Sequence, residues 1–203
     1  MMQKGPTQTC LASSPAGPAL QGNPIHNEDT HENVWRARER LRRLYRPSRV
    51  RILFVGESPP ASGRFFYRAD SGLYRAMRDT FVTAFPLLSK TRFLDSFRSL
   101  GCYLVDLCGQ PVDHMPRDAR QYACRSGEIR LARMIRRLNP KIMVAIVKSI
   151  GVNVRRAQDG AGWSGPYLEL PYPGRWHRQR IEFERRLVPL LREMLVRSPI
   201  PPK

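Results

Sequence analysis

Apolar positions along this chain fall into two kinds of block that take turns: short continuous runs, and longer stretches spaced for one helix face. From His31 onward, Val34, Trp35, Arg38, Leu41, Leu44 and Tyr45 share a helical face, while Arg36, Arg40, Arg42 and Arg43 cover the rest. Pro47 ends that helix. Residues 50–55 then read as a buried strand stopped by Gly56, and 73–85 and 93–100 read as helices. Residues 102–107 form a second strand. An amphipathic helix follows over 126–138, with Ile129, Ala132, Met134, Ile135 and Leu138 inward, and Asn139-Pro140 breaks it. Residues 142–147 read as a third strand and 167–170 as a short fourth. A closing helix over 178–196 carries Ile181, Leu187, Leu190, Leu191, Met194 and Leu195 as its apolar stripe.

Strands alternating with helices predict an α/β fold, with a central four-stranded parallel sheet flanked by helices on both faces. In such sheets ligands bind outside the carboxyl ends of the strands. That rule selects the segments after Val55, Leu107 and Leu170. Residues 1–30, rich in Gly, Pro, Ser, Thr, Asn and Gln, cannot bury enough apolar surface to order themselves and are expected to be a disordered tail. Residues 31–203 are expected to form a single domain.

Charge changes the picture. The 203 residues carry 35 Lys and Arg against 17 Asp and Glu, a formal net charge of +18, and only five of the basic residues are Lys. Arginine suits planar, bidentate oxyanions, phosphate above all. A GC-rich coding bias explains Arg over Lys but not the excess of charge, so a polyanionic partner, nucleic acid first, is expected. No apolar run exceeds six residues, which excludes a membrane-spanning helix. The absence of an apolar run after Lys4 argues against a secretory leader, and four Cys do not make a disulfide scaffold. A soluble, cytoplasmic monomer is the expectation.

The first strand-end segment runs Gly56-Glu57-Ser58-Pro59-Pro60-Ala61-Ser62-Gly63-Arg64-Phe65-Phe66-Tyr67. It sets a carboxylate and three consecutive aromatics at the strand mouth. The rings are either a stacking platform for a flat ligand or part of the core. In the second, Asp106 lies inside an apolar strand, either paired with one of the Arg or required by the site. The third, Tyr172-Pro173-Gly174-Arg175-Trp176-His177-Arg178, interleaves cations with aromatics in a way that suits backbone contact with base stacking or wedging. Alternatively it is a solvated helix start with a surface His. No nucleophile elbow, phosphate loop or metal-ligand spacing is present, so neither metal nor cofactor is expected.

A strand ending in Gly56-Glu57-Ser58-Pro59-Pro60, with a closing motif between the last strand and the last helix, resembles the uracil-DNA glycosylase superfamily. Its first motif reads Gly-Glu-Ala-Pro-Gly in the iron–sulfur families and Gly-Gln-Asp-Pro-Tyr in the best-known one. Cys108-x-x-Pro111 followed by Cys124 is similar to the iron–sulfur families, but only Cys10 and Cys102 remain to complete a ligand set, so the resemblance implies a cluster-free relative. The superfamily's strand-end uracil reader, usually Asn, stands here as Asp106. Its His-Pro-Ser motif stands as Tyr172-Pro173-Gly174.

The resemblance implies a uracil-DNA glycosylase-like fold and hydrolysis of the N-glycosidic bond of a damaged base, uracil first, in single- or double-stranded DNA. It implies catalytic roles for Glu57, Asp106 and His177, and base contacts by Gly56, Ser58, Phe65, Phe66, Tyr67 and Tyr172. DNA contacts would come from Arg64, Pro173, Gly174, Arg175, Trp176 and Arg178. Two other readings stay open: a non-catalytic nucleic-acid-binding module, and a hydrolase of free nucleotides.

Overall fold

The computed structural model describes Met1 and residues 25–174 and 176–196. Six helices and four strands follow one another as α1 (Ile25–Leu44), β1 (Ile52–Gly56), α2 (Gly72–Ala84), α3 (Phe93–Ser99), β2 (Cys102–Asp106), α4 (Arg117–Leu138), β3 (Ile142–Ile146), α5 (Gly151–Ala161), β4 (Tyr167–Leu170) and α6 (His177–Val196). The strands make one parallel sheet in the order β2-β1-β3-β4. Every residue of β1 and β2 is buried, as expected when both sheet faces are covered. The chain leaves β1 toward β2 on one side, and later leaves β3 toward β4 on the other. Right-handed crossovers therefore send α2 and α3 to one face and α4 and α5 to the opposite one. Packing agrees: α4 lies along α5, and α6 returns against α2.

The α2–α3 face holds an aromatic cluster. Phe66 meets Tyr67 edge-on at 5.1 Å and Phe97 at 5.3 Å, and Phe81 reaches Phe93 at 5.4 Å. Ser71 caps α2 by accepting the Tyr74 N–H at 3.1 Å. At the end of α4, Asn139 takes the left-handed conformation at φ 39° and Pro140 follows, the expected stop.

Several boundaries differ from the sequence-based expectation. α1 begins at Ile25, so residues 25–30 are helical, whereas residues 2–24 lie outside the described set. α4 begins at Arg117, nine residues before the expected start, because Pro116 sits at its N-cap and the added turns are polar. α5 has no predicted counterpart. In α4 the inward face carries Cys124, Gly127, Leu131, Ala132, Ile135 and Leu138, which turns Ile129 out to 65% exposure and leaves Met134 half-buried. In α6 Phe183, Leu187, Val188 and Leu191 face inward and Ile181 outward, while the side chains of Met194 and Leu195 lie outside the described set. Val34 and Leu44 of α1 are exposed as well.

Gly127 is where α4 crosses the end of β2. A Cβ there would lie 2.2 Å from the Leu107 carbonyl oxygen, so helix and strand approach this closely only because the position has no side chain. Gly127→Ala is expected to destabilise the fold by about 1–3 kcal/mol through overpacking, read as a lower urea midpoint with unchanged slope.

Candidate functional site

The carboxyl ends of β1 and β3 flank the point where the connections diverge, the usual ligand crevice of an open parallel sheet. A cleft of about 520 Å³ lies there, between the loop after β1, the first half of α4 and the start of α5. Glu57 enters it from the loop, and Arg117, Arg120 and Arg125 from α4. Ser149, Asn153 and Arg156 complete the far wall.

The loops that carry this site are fastened to each other. Leu107 N–H donates to the Gly56 carbonyl and Cys108 N–H to the Glu57 carbonyl, both at 2.8 Å. Ser58 Oγ accepts the Val112 N–H at 3.3 Å, and Asp113 accepts the Ala61 N–H at 3.2 Å. Ser58 thus holds the loop after β2. Glu57, with a side chain 13% exposed, is gripped by Arg120 through both guanidinium arms, Nε lying 2.6 Å from Oε1 and Nη2 bonding Oε2. This fork–fork pair fixes the carboxylate plane and leaves lone pairs for a further donor such as water. Behind it, Cys124 Sγ stands 3.9 Å from Glu57 and 3.6 Å from Cys108 Sγ. Burial pushes the Cys108 thiol up to about 12, with the neighbouring Cys124 adding to the shift.

Asp106 points elsewhere. It pairs in register with Gly56, where a Cβ would meet its Oδ1 at 2.8 Å, and its Oδ2 accepts from Arg42 Nη2 of α1 at 2.6 Å. Arg42 also bonds Glu39, and its guanidinium covers the Phe65 ring at 5.3 Å. Arg130 donates to the Asp106 carbonyl at 2.6 Å. Of the two open readings of Asp106, the buried ion pair is the one found. Its carboxyl lies above the usual carboxylate range, because burial outweighs the attraction of Arg42, Arg130 and Arg38.

The expected stacking platform is core. Phe65, Phe66 and Tyr67 are 2–3% exposed, and their rings are engaged with Tyr45, Tyr74, Phe93 and Phe97. Tyr67 Oη donates to the Leu104 carbonyl at 3.0 Å and accepts the Leu104 N–H at 2.8 Å. A run of three large apolar rings gains more from burial against α2 and α3 than from waiting for a ligand.

After β4, Pro173 is buried, and Tyr172 and Gly174 lie against the start of α2 near Gly72. Burial raises the Tyr172 phenol, against the pull of Arg75. Trp176, His177 and Arg178 are exposed at the start of α6, as is Arg64 after β1; Arg175 lies outside the described residues. Among the described residues no hydrogen bond or ion pair joins His177 to Glu57 or Asp106, whose partners are Arg120 and Arg42.

Sequence reasoning missed the Arg120 clamp and the guanidiniums of the cleft. Their signal was the spacing of Arg117, Arg120, Cys124 and Arg125, one face of a helix in a segment read as loop. Among the described residues no group of three His, Cys, Asp or Glu is placed to hold a metal, and no helix is long and apolar enough to cross a membrane.

Because burial raises Asp106 above its unfolded value, the fold favours its protonated form. That contribution is complete below the unfolded value and is lost as pH rises through the folded one. Arg42 offsets the loss. Arg42→Met is expected to cost about 3–5 kcal/mol at neutral pH and to recover stability on acidification toward the usual carboxylate range, read as urea midpoints across pH. Tyr67→Phe is expected to lower stability by about 1–3 kcal/mol, read as a lower urea midpoint with unchanged slope. Compared with known proteins, the chain matches no family model, and no curated sequence matches it.

Proposed function

We propose that this chain is a DNA glycosylase that hydrolyses the N-glycosidic bond of a damaged base, with uracil as the first substrate to test. The observation that carries the reading is the placement of Glu57. It is a carboxylate fixed at the switch point of a parallel sheet, opening into an arginine-lined cleft on a chain of net charge +18. The resemblance of Gly56-Glu57-Ser58-Pro59 to the first glycosylase motif supports the same assignment.

The target nucleotide is drawn out of the stack, at a few kcal/mol, and the basic surface offsets this by binding phosphates. Departure of the base leaves positive charge on the sugar, as in other glycoside hydrolysis. Glu57 faces that charge and orients water, while Arg120 holds its plane. Donors around the cleft stabilise the leaving base anion. Tyr172, Trp176, His177 and Arg178, with Arg64, form the second, exposed contact surface for the strand.

One observation favours a second reading, a nucleic-acid-binding module without catalysis. Both strand-end carboxylates are in ion pairs, and the aromatic rings expected to stack a base lie in the core.

The experiment is base release from an oligonucleotide with one uracil, read as strand cleavage after alkali, with a thymine control. The native chain is expected to cleave at uracil alone, and Glu57→Gln to lose at least about 100-fold in kcat. Salt-sensitive binding without release would favour the module. Full activity of Glu57→Gln would remove Glu57 from the mechanism.

A further inference from the structure

We infer that the cleft between α4 and α5 is a phosphate-binding site, with Arg117 and Arg125 as its principal ligands and a strand's phosphodiester as its occupant. Four guanidiniums line the cleft against one carboxylate. Two of them are already engaged, Arg120 with Glu57 and Arg156 with Glu128 at 3.7 Å. Arg117 and Arg125 form no ion pair among the described residues, yet they stand on the same helix face as Arg120 and border the same space. Both are exposed, so water and salt screen them in the free protein, and an anion in the cleft would give them a common partner. Asn153 Nδ2 donates one N–H to Glu128 at 2.7 Å and has a second to offer, and Gln121 and Ser149 are neutral hydrogen-bonding groups on the rim.

The occupant must be anionic, hydrogen-bond through several oxygens and tolerate an open, polar wall. Phosphate meets these conditions better than a carboxylate, because its tetrahedral oxygens take donors from several directions where a carboxylate offers a single plane. Val152, 62% exposed on the same wall, offers an apolar contact that a sugar attached to the phosphate would cover and a free inorganic ion would not. α5 starts at this wall, but the Glu169 carboxylate already lies against its first residue, Gly151, so the helix end is not counted toward the site. The strand then crosses the carboxyl edge of the sheet from the α4–α5 side, past Glu57, rather than along the loop after β4 alone. This deepens the glycosylase reading, and rests on it only for the source of the phosphate.

The test uses the full chain and a short, uracil-free single-stranded oligonucleotide, with anisotropy read across a salt series. Arg117→Gln with Arg125→Gln is compared with Arg133→Gln plus Arg137→Gln, an exposed pair farther along α4 that removes the same charge. The cleft pair is expected to flatten the dependence of log K on log salt by about 1.4 and to weaken binding roughly 25-fold near 0.1 M salt, two phosphate contacts at the single-strand value. The distant pair should leave the slope unchanged. Equal losses from both pairs, or none from the cleft pair, would overturn the site. A nucleoside monophosphate is titrated as competitor. If it displaces the oligonucleotide at comparable concentration, the phosphate comes from a small molecule and the strand path is wrong. Base release is scored in parallel. A slope difference without release leaves the phosphate site standing while the glycosylase reading fails, and release with equal slopes does the reverse.

Discussion

The Arg42–Asp106 ion pair carries α1 onto the end of β2, and the closure of one side of the sheet's carboxyl edge depends on it. A carboxylate buried in the register of two apolar strands is tolerable only with a cation beside it. Arg42 stands 64 residues earlier, so the pair ties the beginning of the described fold to the end of its edge strand β2. The same guanidinium covers Phe65, which joins the ion pair to the aromatic cluster under α2 and α3. Gly56 completes the arrangement, because any side chain there would occupy the space of the Asp106 carboxylate. On that side the edge is sealed.

On the other side it is open. Glu57, one residue beyond Gly56, turns toward α4 instead of α1, and its partner Arg120 stands on a helix whose neighbouring cations are uncompensated. Two successive positions at the end of one strand thus face opposite environments, one dry and paired, the other wet and positively charged. Alternation along a strand produces the division. It separates the Asp106 carboxylate, paired with α1, from the Glu57 carboxylate, which faces the cleft.

The sheet was legible because its strands are short continuous apolar runs, each bounded by Gly, Pro or a polar turn, and residues 50–55, 102–107 and 142–147 fall within a residue or two of β1, β2 and β3. The helices were legible only where apolar residues recur. The first two turns of α4 bury little besides Cys124, and α5 begins and nearly ends on glycine, so neither presents the stripe that period-based reading needs. Glu57 was found from its place after a strand. Its clamp was not, since Arg120 lies 63 residues away and the spacing it shares with Arg117, Cys124 and Arg125 is a polar face rather than an apolar stripe. The run Phe65-Phe66-Tyr67 shows the opposite error: aromatic residues near a strand end read equally well as a platform or as core, and burial decided for core.

Cys108 and Cys124 lie with their sulfurs 3.6 Å apart, close enough for a modest rotation to join them. Proximity does not make the pair reactive. With the Cys108 thiol pushed up to about 12 by burial, the nucleophilic thiolate is scarce at neutral pH. Burial raises Cys124 as well, so both sulfurs stand in the wall behind Glu57 as thiols, small and polarisable packing groups rather than nucleophiles.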